Sequence, residues 1–142
     1  MALVRMKTLL ENAAKNNRGC GAFSVGNMEM VKGAVRAAEE LNTPIILQIA
    51  EVRLKHSPLD LMGPMMVQAA KSAKVDVAVH LDHGLTFETV QRALELGFTS
   101  VMLDASTLPF EDLFQAASSY LPDHSGDRPQ IYRADPSEIP GR

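Results

Sequence analysis

Along the chain, apolar and polar positions switch repeatedly between a helical and a strand period. Leu9, Leu10, Ala13 and Ala14 recur at helical spacing within 6–16, and the stretch stops at Asn16-Asn17-Arg18-Gly19. A short buried strand is expected over Cys20 to Val25. Gly26-Asn27 then precede a second amphipathic helix from Met28 to Leu41, with Met30, Val31, Ala34, Val35 and Ala38 as its apolar stripe, closed by Asn42-Thr43-Pro44. The run Ile45-Ile46-Leu47-Gln48-Ile49 is continuous and β-branched, which suits a strand covered on both faces. Pro64 is best accommodated in the first turn of a helix reaching about Ala73, because a helix interior would cost about 3 kcal/mol. Val75 to Leu81 is a third strand, closed by Asp82-His83-Gly84. A helix from Thr86 to Leu96, a stop at Gly97 and a strand from Ser100 to Leu103 complete the pattern. Helical crossovers between successive strands predict a parallel α/β sheet.

The last segment breaks this rhythm. A short helix is expected to reach Ser119, and from there Pro, Gly, Asp, Ser and Arg dominate without apolar period, so 1–119 is expected to form the folded unit and 120–142 an irregular or disordered tail.

Composition narrows the function. The chain has 142 residues, 14 basic against 17 acidic, and a formal net charge of −3, which gives no basic excess for nucleic-acid phosphates. A lone cysteine, Cys20, cannot build an intramolecular disulfide or a multi-thiolate zinc site. The opening residues lack a long apolar stretch and no segment approaches the roughly 20 apolar residues a bilayer requires, so neither secretion nor membrane insertion is expected, and a cytoplasmic location is.

In parallel α/β folds, ligands gather at the carboxyl ends of the strands. Four polar groups fall there: Ser24 with Asn27, Gln48 with Glu51, His80 with Asp82 and His83, and Asp104 with Ser106. Alternation along a pleated strand puts His80 and Asp82 on one side, with His83 at the bend beyond. That placement could set a metal ligand beside an acid/base; equally, Asp82 and Gly84 could form a turn and the histidines could be packing residues. Asp104 has an alternative as a cap or turn residue, and Asn27 as a plain helix cap. His56 reads as solvated, and Met28, Met30, Met62, Met65 and Met66 as core filler. No Gly-rich phosphate loop is present.

Several segments, in order and spacing, carry a resemblance. Ala22-Phe23-Ser24-Val25-Gly26-Asn27, the segment Ala37 to Ile46, His80-Leu81-Asp82-His83-Gly84, and Ser100 to Ser106 with Leu108-Pro109-Phe110-Glu111 resemble the class II, zinc-dependent ketose-bisphosphate aldolases over about residues 6–112. The resemblance implies a (β/α)8 TIM barrel, of which this chain supplies about four βα units, and reversible aldol cleavage of a ketose bisphosphate to dihydroxyacetone phosphate and an aldehyde. It implies Asp82 as catalytic acid/base, His83 and Asp104 at the metal, and Asn27 and Ser106 at the substrate. Ser24 stands where the family's Phe-Asn-Val carries Asn. The family's later histidine ligands, its Glu-Ala-Glu-Leu-Gly strand and its Gly-Ala-Ser-Gly phosphate site have no counterpart here. The expectation is therefore a partial barrel, truncated and inactive alone, binding zinc weakly or not at all, with phosphorylated ketose and dihydroxyacetone phosphate as the family's ligands and a homo-oligomer as its state. The alternative is a half-barrel binding or self-associating module without catalysis.

Overall fold

The computed structural model describes residues 2–106. Within them the chain alternates α1 (Met6–Lys15), β1 (Gly21–Ser24), α2 (Met28–Glu40), β2 (Ile45–Ala50), a short 3-10 turn (Glu51–Arg53), α3 (Leu59–Ser72), β3 (Val77–Gly84), α4 (Phe87–Glu95) and β4 (Ser100–Leu103). The strands form one sheet in the order β1-β2-β3-β4, every pair parallel. This is the expected partial barrel: an open, four-stranded run of βα units.

Helix ends follow local chemistry. The Asn27 side chain accepts the Met30 amide at 2.9 Å and caps α2, while Thr86 does the same for Thr89 at the start of α4. At the other ends, Asn42 (φ 46°) and Gly97 (φ 90°) enter the left-handed region that lets the chain leave the helix. Gly97 is the stop its sequence position predicts.

Two faces of the sheet are treated differently. Ile45, Leu47, Ile49, Val77, Val79, Leu81 and Val101 form one core with Val31 and Ala38 of α2, Met62, Met66, Val67 and Ala70 of α3, and Val90 and Ala93 of α4. On the opposite face the apolar cluster is smaller, Ile46 and Ala78 packed with Met6 and Leu9 of α1. α1 thus plugs the amino-terminal end of that face, and the carboxyl-terminal end is left to polar residues. Burial of this many aliphatic side chains, each contributing roughly 1.5–3 kcal/mol, fixes the sheet on its helical layer.

Several expectations change. α3 begins at Leu59, with Pro58 at its cap, so Pro64 lies inside the helix and not in its first turn. The buried stripe Leu59, Met62, Gly63, Met66, Val67 and Ala70 outweighs the hydrogen bond that Pro64, on the exposed side, cannot donate. β1 is exposed along its length: among the described residues it pairs with β2 alone, and none of Gly21 to Ser24 joins either core cluster. Met62 and Met66 are core residues, but Met28 and Met30 are 51% and 42% exposed, the first turn of α2 having no cover among the described residues. β3 does not stop at Leu81 but runs through Gly84, with an irregular register between Leu81 and Gly84. His56 is exposed, as expected. The helix expected to reach Ser119 and the tail beyond it, including the boundary at 119–120, lie outside the described residues.

Gly84 closes β3 where nothing larger fits. A Cβ there would lie 2.8 Å from the Met102 carbonyl oxygen and 2.9 Å from Val90 Cγ2. Gly84→Ala is accordingly expected to destabilise the chain by about 1–3 kcal/mol, as overpacking of tight sites does, seen as a lower urea midpoint at unchanged slope; an unchanged midpoint would show that β3 and β4 can separate at this point.

Candidate active site

The register brings side chains distant in sequence into one line. Ser24, Gln48, His80 and Ser100 are successive lateral partners across the four strands, so they share the face that α2, α3 and α4 do not cover. Gln48 Nε2 donates to Ser24 Oγ at 3.2 Å and to Asp82 Oδ2 at 3.0 Å. His80, 6% exposed, pairs Nδ1 with Ser100 Oγ at 2.9 Å. Burial lowers the His80 pKa from its ordinary value and so favours the neutral ring, an effect that the charge of Asp82 partly offsets. Asp82 stands two residues on from His80 on the same side, as the alternation of the strand requires.

Beyond Asp82 the chain bends. His83 takes φ 46°, a left-handed conformation costing a non-glycine residue roughly 1–2 kcal/mol, and its ring turns out toward β4. Its Nδ1 lies 2.7 Å from Asp104 Oδ2, and its Nε2 lies 3.7 Å from Asp82 Oδ1. The Asp104 amide also donates to the Gly84 carbonyl at 2.7 Å, so the end of β4 holds this bend by backbone and side chain together. Asp104 accepts the Ser106 amide at 3.1 Å on its other oxygen. Hydrogen bonds from Ser106 and then His83 hold the Asp104 carboxyl down at about 2. The bond to Asp104 in turn raises the His83 pKa, against a smaller desolvation effect.

Asp82, His83 and Asp104 therefore converge, and Ser106 joins them through Asp104. Asp104 makes the turn to Ser106 expected of a turn residue and at the same time engages His83. Asn27, in contrast, is occupied as the α2 cap, and among the described residues the structure gives it no contact with this cluster. The role of Ser100 as partner of His80 was not legible from motifs; only strand register, which pairs the two residues, reveals it. Gln48 was visible as a polar interruption in an apolar strand, but not as the link between Ser24 and Asp82.

The donor set can be weighed against zinc. Catalytic zinc sites use three protein ligands and an open position. Among the described residues, no group of three or more His, Cys, Asp or Glu side chains could hold a metal ion, and the cluster offers one imidazole, His83, with Nδ1 on Asp104 and Nε2 left as its single possible ligand atom. These residues alone do not fit a complete zinc site. Nor is any helix among them long and apolar enough to cross a membrane.

Comparisons with known proteins point to one family. The family described as fructose-bisphosphate aldolase class-II matches residues 4–122, past the Pro109-Phe110-Glu111 run on which the sequence resemblance ends. A fructose-bisphosphate aldolase of Giardia intestinalis is 40% identical over 113 residues, 79% of this chain and 35% of that protein. A sulfofructosephosphate aldolase of Alkalicoccus urumqiensis is 41% identical over 79% of this chain and 39% of its own length. The crystal structure of the YdjI aldolase from Escherichia coli K12 superposes with a TM-score of 0.77 at 30% identity, covering 82% of this chain and 44% of that one. The chain spans 35–50% of the length of the curated relatives it matches.

The His83–Asp104 pair makes a prediction with a definite sign. Asp104 is lowered from 3.8, so its contribution to stability is present above that value and is lost as pH falls toward about 2. His83 is raised from 6.5, so its contribution is complete below 6.5 and is lost as pH rises through its folded value. NMR titration of the metal-free chain is expected to find His83 above 6.5 and to find it displaced downward in Asp104→Asn. An identical His83 titration in the two proteins would mean that the pair does not form.

Proposed function

The chain belongs to the class II fructose-bisphosphate aldolase family, and from that premise we propose that it supplies the amino-terminal part of an aldolase active site for reversible cleavage of a phosphorylated ketose to dihydroxyacetone phosphate and an aldehyde. The observation that carries this reading is the convergence of Asp82, His83 and Asp104 at the carboxyl ends of β3 and β4. Asp82 is the proton carrier. In the cleavage direction it takes the hydroxyl proton from the carbon that becomes the aldehyde; the adjacent carbon–carbon bond breaks and its electron pair stays with the ketose-derived fragment. In condensation it returns the proton to the aldehyde oxygen. The Gln48 amide, donating to Asp82 Oδ2, fixes one carboxylate oxygen and leaves Oδ1 as the working atom.

His83 and Asp104 belong on the metal side of that chemistry, Asp104 by orienting the imidazole through Nδ1 and stabilising its charge. Asn27 and Ser106 are substrate-side groups at the ends of β1 and β4. Relatives named for fructose bisphosphate and for sulfofructosephosphate both align here, so the substrate class is a phosphorylated ketose. Because the donor set falls short of zinc's requirement, this chain by itself is expected to be inactive. A second reading, a self-associating module, is favoured by one feature: β1 is an exposed edge, with Phe23 48% exposed upon it.

Two assays test the proposal. The purified 142-residue chain is expected to show no turnover of fructose 1,6-bisphosphate and no high-affinity zinc isotherm; turnover with bound zinc would overturn the statement that its donor set is incomplete. A chimera joining residues 1–122 to the remaining length of the Giardia relative is expected to cleave the sugar, and Asp82→Asn in it to lower kcat by about 10²–10⁴-fold. A folded, active chimera indifferent to Asp82→Asn would contradict the role given to Asp82.

A further inference from the structure

Glu51 begins the 3-10 turn after β2, two strands away from β4, yet its carboxylate reaches the segment that follows the His83 bend. Oε2 accepts the Leu85 and Thr86 amides, the latter at 3.2 Å, and Oε1 accepts the Thr86 and Thr89 hydroxyls at 3.1 and 2.9 Å. Leu85 is two residues after His83, and Thr86 is the α4 cap that also receives the Thr89 amide. A carboxylate with four donors at a helix start is favoured by the helix dipole as well as by the bonds themselves.

The bend at His83 is thus gripped from both sides. Asp104 holds Gly84 and the His83 ring from β4, and Glu51 holds Leu85 and Thr86 from β2. A left-handed non-glycine residue persists only where its surroundings over-determine it. We propose that Glu51 is a positioning residue: its carboxylate locks the segment after Gly84, so that His83 stays in its left-handed conformation with its ring on Asp104 and Asp82 faces the end of the sheet. The aldolase reading enters only in saying what His83 and Asp82 then do.

Among the described residues, no other side chain accepts the Leu85 or Thr86 amide. The remaining hydrogen bonds between the end of β2 and β3 among the described residues are the ladder itself and the Gln48 contact to Asp82, which lie before the bend. Without Glu51, the Leu85 and Thr86 amides lose their acceptor, and the hydrogen bonds that remain at the bend among the described residues come from Asp104.

The test uses the isotopically labelled 142-residue chain, without metal or sugar, and reads hydrogen exchange by NMR. In Glu51→Ala, the Leu85 and Thr86 amides are expected to exchange about tenfold faster or more, the change that losing charge-assisted bonds brings. The His83 Nδ1 proton, protected by Asp104, is expected to be lost to solvent exchange, while the Leu47 and Val79 amides at the centre of the sheet keep their protection. Glu51→Gln, which retains one acceptor oxygen, is expected to give an intermediate loss at the same three positions, and it serves if the alanine variant does not fold. Persistence of the protected His83 proton in the variant that folds would overturn the proposal. So would a parallel loss of protection at Leu47 and Val79, which would make Glu51 a general brace of the fold. Because no readout involves catalysis, an inactive chimera alongside the expected exchange pattern would remove the aldolase reading and leave the positioning role standing.

Discussion

Everything about this chain that bears on function depends on the lateral register of four parallel strands. Ser24, Gln48, His80 and Ser100 lie side by side only in that register, and a slip of one residue would turn each of them into the helix-covered core. The register is held by asymmetry: one face carries a continuous aliphatic layer under α2, α3 and α4, while the other is apolar only at the end that α1 covers. Placing Gln48 or His80 against the helices would bury polar groups without partners at a cost of several kcal/mol. As it stands, no buried side-chain polar atom among the described residues lacks a hydrogen bond.

From that register the chemistry follows by short steps. The polar row puts Gln48 on Asp82; the bend after Asp82 turns His83 away from the row and toward β4; and Asp104, at the first position after β4, meets the ring. The cluster joins a half-buried carboxylate, Asp82, to an exposed imidazole that is 53% accessible. The first is held in one orientation by Gln48, and the second is open to solvent. Gly84 sits directly behind, where only a hydrogen fits between Met102 and Val90, and so lets β3 and β4 close tightly under the site.

Much of this was legible in the residues. Alternating periods gave all four strands and all four helices of the described region, and strand pleating alone put His80 and Asp82 on one side. What the sequence could not give was anything decided by tertiary contact. Pro64 argues locally for a helix start, but the buried stripe running from Leu59 begins the helix earlier. β1 reads as a buried strand and is exposed, because burial depends on what packs over a strand, and among the described residues neither core cluster reaches Gly21 to Ser24. Ser100 carries no motif, and Glu51, grouped with Gln48 as a polar pair at a strand end, points instead to the start of α4; both assignments need the neighbouring strand to be known. The family resemblance located Asp82, His83 and Asp104 together, and the structure adds the bonds that join them.

Interstrand contacts in the labelled protein test the central claim most directly. Nuclear Overhauser effects are expected between His80 and Ser100 and between Gly84 and Leu103, the lateral pairs that bring Asp104 to the His83 ring. Contacts from His80 to Thr99 or Val101 in place of Ser100 would put β4 out of register, separate Asp104 from His83, and contradict the site.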